Sequence, residues 1–201
     1  MKYTSLLLAT LALTISSSFA QRESFDASTV RIIESKKITE NFAGPTSDKT
    51  VQRKGMDASG SIVIIVATER FITLKSVFFQ LDSTELRDKA SATQLQHMAD
   101  ALKSKELRNK RFVIEGHTCD LGTDDYNLSL SAKRAQAIKD WLVKHGIAPE
   151  RLAILGCGES EPAAKVDLKG SPTEIETQRS DNRRVVLREL PAAETPTTRK
   201  K

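Results

Sequence analysis

Arg111-Phe-Val-Ile-Glu115-Gly116, then His117-Thr-Cys-Asp-Leu-Gly122, then Tyr126-Asn127, Leu130-Ser131 and Arg134-Ala135, carry the reading that decides the fold. The first five residues form a β-branched and aromatic run that ends on a glycine, the signature of a strand closing into a turn. Beyond the polar turn, Ser131, Ala135, Ile138 and Leu142 fall on one helical face, and Gly146 stands where a left-handed cap belongs. Pro149 precedes a further strand at 151–155, ended by Gly156. A strand, a helix and a second strand in this order form a crossover unit, which places consecutive strands side by side.

The same alternation extends outward on both sides. Residues 62–67 and 72–79 are β-branched and apolar runs. Asp82-Ser-Thr-Glu85 has the spacing of a capping box, and Ala92, Leu95, Met98, Ala99 and Leu102 then share a helical face. Downstream, a loop holding Pro162, Gly170 and Pro172 leads to a last strand at 183–190. The expected fold is an α/β (α+β) sandwich in the order β-α-β-α-β-β, with helices packed on a mixed four-stranded sheet over residues 61–190.

The flanks read differently. Lys2, an apolar stretch at 6–15 and the small residues Ser18 and Ala20 form the three parts of a signal peptide cleaved after Ala20. The residue directly after that point is Gln21 and not a cysteine, which argues against a lipid anchor there. Residues 21–60 are polar and broken by turn formers, and they are expected to form a linker or loosely ordered arm. Residues 191–201 contain two prolines and end in Arg199-Lys-Lys201, an expected disordered basic tail.

Composition narrows the function classes. The 201 residues carry 31 Lys+Arg against 26 Asp+Glu, a formal charge of +5. Aromatics are 5% of the chain and no basic stripe interleaves with them, which excludes a stacking nucleic-acid binder. No stretch reaches the roughly 18 apolar residues of a transmembrane segment. Three histidines, none at a ligand spacing, predict no metal site, and no cofactor motif is present. Ligands of open α/β sheets tend to bind outside the carboxyl ends of the strands, so the polar residues after Gly116 form the candidate site. Arg134 suits bidentate capture of a carboxylate. It is equally suited to a structural tie with Asp120, Asp124 or Asp125.

These motifs resemble the OmpA-like (OmpA/MotB) domain, which also occurs in the peptidoglycan-associated lipoprotein. The resemblance rests on Val77-Phe-Phe-Gln-Leu-Asp-Ser83, Glu115-Gly-His-Thr118, Gly122, Tyr126-Asn127, Leu130-Ser131, Arg134-Ala135, Gly156-Cys-Gly-Glu159, Pro162 and Asn182-Arg-Arg-Val185. It covers about residues 72–190. It implies a non-catalytic periplasmic module that binds peptidoglycan through the diaminopimelate of the stem peptide. The matching site residues are Leu81, Asp82, Thr118, Asn127, Leu130 and Arg134, with Arg183 at the rim. In the family an aspartate three residues before the glycine matching Gly122 holds the ligand's charged group. Here that position is Cys119, with Asp120 one residue on. A thiol does not replace a carboxylate as a fixed charge.

The two cysteines suggest a reason for that departure. Cys119 and Cys157 each follow one of two strands expected to be neighbours, in an exported protein. A Cys119–Cys157 disulfide is therefore expected, with a stabilisation of about 4 kcal/mol from loop closure. Two rival functions remain. One is a protein-interaction module that kept the scaffold and lost wall binding, which the Cys119 replacement favours. The other is a thiol enzyme with Cys119 as nucleophile and His117 or His145 as base, which a disulfide would disable.

Overall fold

The computed structural model describes residues 32–74, 77, 79, 84, 86 and 88–192. The signal peptide read at residues 1–20 and most of the basic tail lie outside the described residues, as do Leu81 and both ends, Asp82 and Glu85, of the expected capping box.

Four helices and six strands make up the described chain. Helix α1 spans Ser35–Phe42; the strands β1 (Thr50–Met56), β2 (Ile62–Thr68) and β3 (Phe71–Leu74) follow; then come α2 (Lys89–Lys103), β4 (Phe112–Gly116), α3 (Asp124–Lys144), β5 (Leu152–Gly156), α4 (Pro172–Asn182) and β6 (Val185–Glu189). The strands form one mixed sheet in the order β2-β1-β5-β4-β6-β3. β4 and β5 are parallel, in register from Phe112 opposite Leu152 to Gly116 opposite Gly156, and the other pairs are antiparallel.

The α/β class and the crossover expected from the sequence are present, with two corrections. The sheet has six strands rather than four, because β1 and β2 form a hairpin that joins β5 through Met56 opposite Gly156. The segment expected as a linker at 21–60 contains α1 and β1, and Ile38 and Phe42 are fully buried. Phe42 meets Phe112 edge to face at 5.1 Å between ring centroids, which docks α1 on the central sheet.

Alternate residues of each strand divide between two apolar layers. On the helix side, Phe112, Ile114, Ile154, Val185 and Leu187 pack against Leu95, Met98 and Leu102 of α2 and Ile138 and Leu142 of α3. On the back, Val113, Leu155 and Cys157 pack under Ala67, Val63 and Ile65 of β2. β2 and β3 lie at opposite edges of the sheet, yet only Glu69 and Arg70 separate them. Five inter-strand steps in a flat sheet would cover about 24 Å, whereas three extended peptide steps reach about 10 Å. The sheet therefore rolls, and the hairpin lies across its back face. The guanidinium of Arg188 in β6 confirms the roll by donating to the carbonyl of Thr68 in β2 at 3.4 Å.

Two glycines set how closely α3 approaches the sheet. A Cβ at Gly116 would collide with the Ser131 carbonyl, and one at Gly156 would stand 2.5 Å from the amide nitrogen of Ala132. The start of α3 thus rests directly on the ends of β4 and β5, which places the loop between β4 and α3 beside the loop that follows β5.

Candidate functional site

The polar loop after β4 is built by local capping. Gly122 takes φ 107°, a left-handed conformation that glycine adopts without strain. Thr123 caps α3, its hydroxyl accepting from the Tyr126 amide, and Asp124 and Asp125 complement the helix dipole. Asn127 is buried and braces the loop, donating to the Leu121 carbonyl at 3.1 Å and to the Glu159 carboxylate at 2.5 Å. Ser131 ties the helix to the loop after β5 by accepting from the Gly158 amide at 2.9 Å.

Within this mouth, Thr118 and Cys119 are buried and Asp120 is exposed. The Thr118 hydroxyl makes no hydrogen bond to other described residues. Asp120 receives a two-point grip from Arg179 of α4, with Nε to Oδ1 at 2.8 Å and Nη2 to Oδ2 at 3.1 Å. This pair holds the Asp120 carboxyl below its ordinary range. Arg183, at the end of α4, donates from Nη1 to Cys119 Sγ at 3.8 Å and from Nη2 to Glu176. Leu130 is half-buried on α3, and Arg134 lays its guanidinium over the Phe79 ring, 5.2 Å from the centroid. Of the predicted site residues, Thr118, Cys119, Asp120 and Arg183 meet at one mouth with Asn127 bracing it. Arg134 lies against the segment that leads toward 81–82.

α4 is the part of this mouth that sequence reading missed. It contributes Arg179 and Glu176, and the stretch was expected to be a loop. The signal was present in Ser171-Pro-Thr-Glu174, which forms a complete capping box with proline in the first turn.

The expected Cys119–Cys157 disulfide is corrected: both cysteines are free thiols. The strands they follow are indeed adjacent and parallel. Cys157 comes one residue after Gly156, however, and Cys119 three residues after Gly116, an offset of about 7 Å along the strands. Cys119 lies against Arg183, while Cys157 faces the back layer with Ala67, Val113 and Leu155. Nor do the residues of the thiol-enzyme reading assemble. His145 stacks on Trp141 at the far end of the 21-residue α3, and His117 turns toward Glu115.

The back face holds a buried ionic cluster. Glu115 is fully buried, and both its oxygens accept from Arg53 of β1 (2.9 and 3.2 Å) and from Arg188 of β6 (2.9 and 3.4 Å). Burial alone would raise its pKa, but His117, Arg188 and Arg53 beside it lower it to about 2. Arg53 also grips Glu161. Burial, aided by the charge of Arg184, depresses the His117 pKa and favours a neutral ring. Burial, together with the Glu115 charge, pushes the Cys157 thiol up to about 12. One ligand atom each from Glu115, His117 and Cys157 lies within 4.8 Å of the others. A cleft of about 390 Å³ lies elsewhere, between the hairpin turn and Lys133, Gln136 and Asp140 of α3, and none of the predicted site residues that are described lines it.

Comparison with known proteins places this architecture. The sequence model of the OmpA family matches residues 78–175. A peptidoglycan-associated lipoprotein of Mesorhizobium japonicum is 33% identical over 130 residues, which cover 63% of this chain and 76% of that protein. The chain belongs to the OmpA family. A peptidoglycan-associated lipoprotein of Rhizobium meliloti is 40% identical over 91 residues, 45% of this chain and 50% of that protein. The matched region thus spans about three quarters of the first relative and half of the second. The crystal structure of the peptidoglycan-associated lipoprotein from Burkholderia pseudomallei is 32% identical, covering 57% of this chain and 88% of that one, with a TM-score of 0.47. The OmpA-family match takes in α2, β4, α3 and β5 with the loop that forms the mouth. It leaves out α1, β1–β3 and β6.

Proposed function

We propose that this OmpA-family protein is an exported, non-catalytic component of the cell envelope that binds peptidoglycan noncovalently, gripping the diaminopimelate of the stem peptide at the mouth after β4. Residues 1–20 act as the signal peptide that delivers it to the periplasm. Among the described residues no helix is long and apolar enough to cross a membrane. The observation that carries the reading is the meeting of Thr118, Cys119, Asp120 and Arg183 at one mouth of a chain whose relatives are peptidoglycan-associated lipoproteins.

The charges of the mouth suggest how an amino acid with both signs is held. Arg134, which lies over the Phe79 ring, and Arg183, which holds Glu176, each carry a planar guanidinium that a ligand carboxylate would share with the partners already there. The ligand's ammonium needs an anion, which Cys119 does not supply. Asp120 takes that role, competing with Arg179 for the same carboxylate. The hydroxyl of Thr118 adds one neutral hydrogen bond.

The test is cosedimentation of the whole chain with purified peptidoglycan, with and without free diaminopimelate, beside Arg134→Ala. The expected result is pelleting that diaminopimelate competes away and that Arg134→Ala reduces by about 2–5 kcal/mol. A second reading, a protein-interaction module on the same scaffold, is favoured by Cys119 and by the Asp120–Arg179 pair. It predicts no pelleting at all, and that result would replace wall binding.

A further inference from the structure

The back of the sheet contains chemistry that wall binding does not use. The ring of His117 is 3% exposed, and neither of its nitrogens has a hydrogen-bond partner among the described residues. Its Nε2 stands 3.9 Å from Glu115 Oε2, too far for a hydrogen bond. Buried polar groups are nearly always partnered, so an imidazole in this state asks for a ligand. Beside it is the thiol of Cys157, 1% exposed and unoxidised. The two residues are 40 positions apart in sequence, which is why no spacing rule marks them.

An imidazole nitrogen and a thiolate sulfur are ligands for soft or borderline metals, not for calcium or magnesium. A metal–sulfur bond of about 2.3 Å and a metal–nitrogen bond of about 2.0 Å span about 4.3 Å in line, and less when bent. The ligand atoms lie within 4.8 Å of one another, so the thiol and the ring need close by no more than about 0.5 Å to share such an ion. Charge then selects among the metals. Both oxygens of Glu115 are already held by Arg53 and Arg188. A divalent ion replacing one thiol proton would add a positive charge beside these two guanidinium groups. A monovalent ion M⁺ leaves the local charge unchanged: the Cys157 S–H bond breaks, the S–M bond forms and one H⁺ leaves.

We propose that Cys157 Sγ and a ring nitrogen of His117 hold one soft monovalent metal ion of the Cu(I) class, with Glu115 as the flanking anion. Arg53 and Glu161 border the cluster toward solvent, the Glu161 side chain being 43% exposed, and their parting gives the ion its entry. Cys119 lies on the other side of the mouth against Arg183 and takes no part.

The test is anaerobic titration of the whole chain with Cu(I) buffered by a competing chromophoric chelator, followed by X-ray absorption at the copper edge. The expected result is one equivalent per chain, with one sulfur and one imidazole nitrogen as neighbours. Cys119→Ser should bind as the parent does, whereas Cys157→Ser and His117→Gln should each lose at least about tenfold in affinity. The absorption spectrum of the parent stands even if a variant fails to fold. A two-sulfur shell, equal losses in Cys119→Ser and Cys157→Ser, tighter binding of Zn(II) than of Cu(I), or no transfer from the chelator would each overturn the proposal.

Discussion

Arginines grip a carboxylate both behind the sheet and at the mouth after β4. At the back, Arg53 and Arg188 close on Glu115, which is fully buried. At the mouth, Arg179 closes on Asp120, with side chains 20% and 36% exposed. The chemistry and the bond lengths are alike. The surroundings are not, and they decide what each pair can do. A buried carboxylate with two guanidinium partners cannot exchange them for a ligand without stranding two charges. An exposed pair is replaceable at small cost, because water screens what is released. The grip on Glu115 therefore belongs to the fold, whereas the front pair can give way to a ligand as wall binding at the mouth would require.

Removing Glu115 tests that distinction most severely. Glu115→Ala leaves Arg53 and Arg188 without their shared anion and is expected to cost about 3–5 kcal/mol in urea denaturation. A loss under about 1 kcal/mol would erase the contrast between the two sides. Acid probes the same group. Its folded pKa, about 2, lies below the ordinary 4.5, so its contribution is complete above about pH 4.5 and is lost as pH falls toward 2. The shift corresponds to about 3 kcal/mol, to be read as stability against pH in the parent and its absence in Glu115→Ala.

The mouth should respond more weakly and in another observable. Asp120→Asn is expected to change stability by no more than about 1 kcal/mol. Arg179→Ala should release Asp120 for a ligand's ammonium. Binding of free diaminopimelate by calorimetry should then tighten by up to about fivefold, the equivalent of that same 1 kcal/mol. Weaker binding in Arg179→Ala would mean that the arginine, not the aspartate, faces the ligand.

How far the sequence could be read follows the same division between apolar and ionic packing. The periodicity of Leu95, Met98 and Leu102 and of Ala135, Ile138 and Leu142 reports burial against a sheet, and all six are buried. β1 was illegible because its inward residue Arg53 meets a carboxylate, so Thr50–Met56 shows no apolar alternation. α4 buries only Asn182 among its residues, which leaves no stripe to detect, although its capping box was in plain view. At the mouth, Thr118, Asp120 and Arg183 could be named from the sequence as candidates. Their partners Arg179 and Glu176 were not, since those contacts depend on where α4 docks. The cysteines show the remaining gap. Neighbouring strands can be inferred from a crossover, but the register that separates two sulfurs by two residues cannot.

The rolled hairpin also sets the order in which the molecule comes apart. β1 meets β5 through one residue pair, whereas β4 is fully paired on both sides by β5 and β6. The hairpin is held to the rest by contacts between residues far apart in the chain, such as Arg53 with Glu115 and Thr68 with Arg188. Native-state hydrogen exchange should therefore find two tiers of protection. The amides of β1 and β2 open in a partial unfolding of lower free energy, and those of β4, β5 and β6 exchange only with the whole domain. Lifting the hairpin would bare Glu115, His117 and Cys157 together, so the buried cluster is exposed to solvent more often than global stability alone would allow.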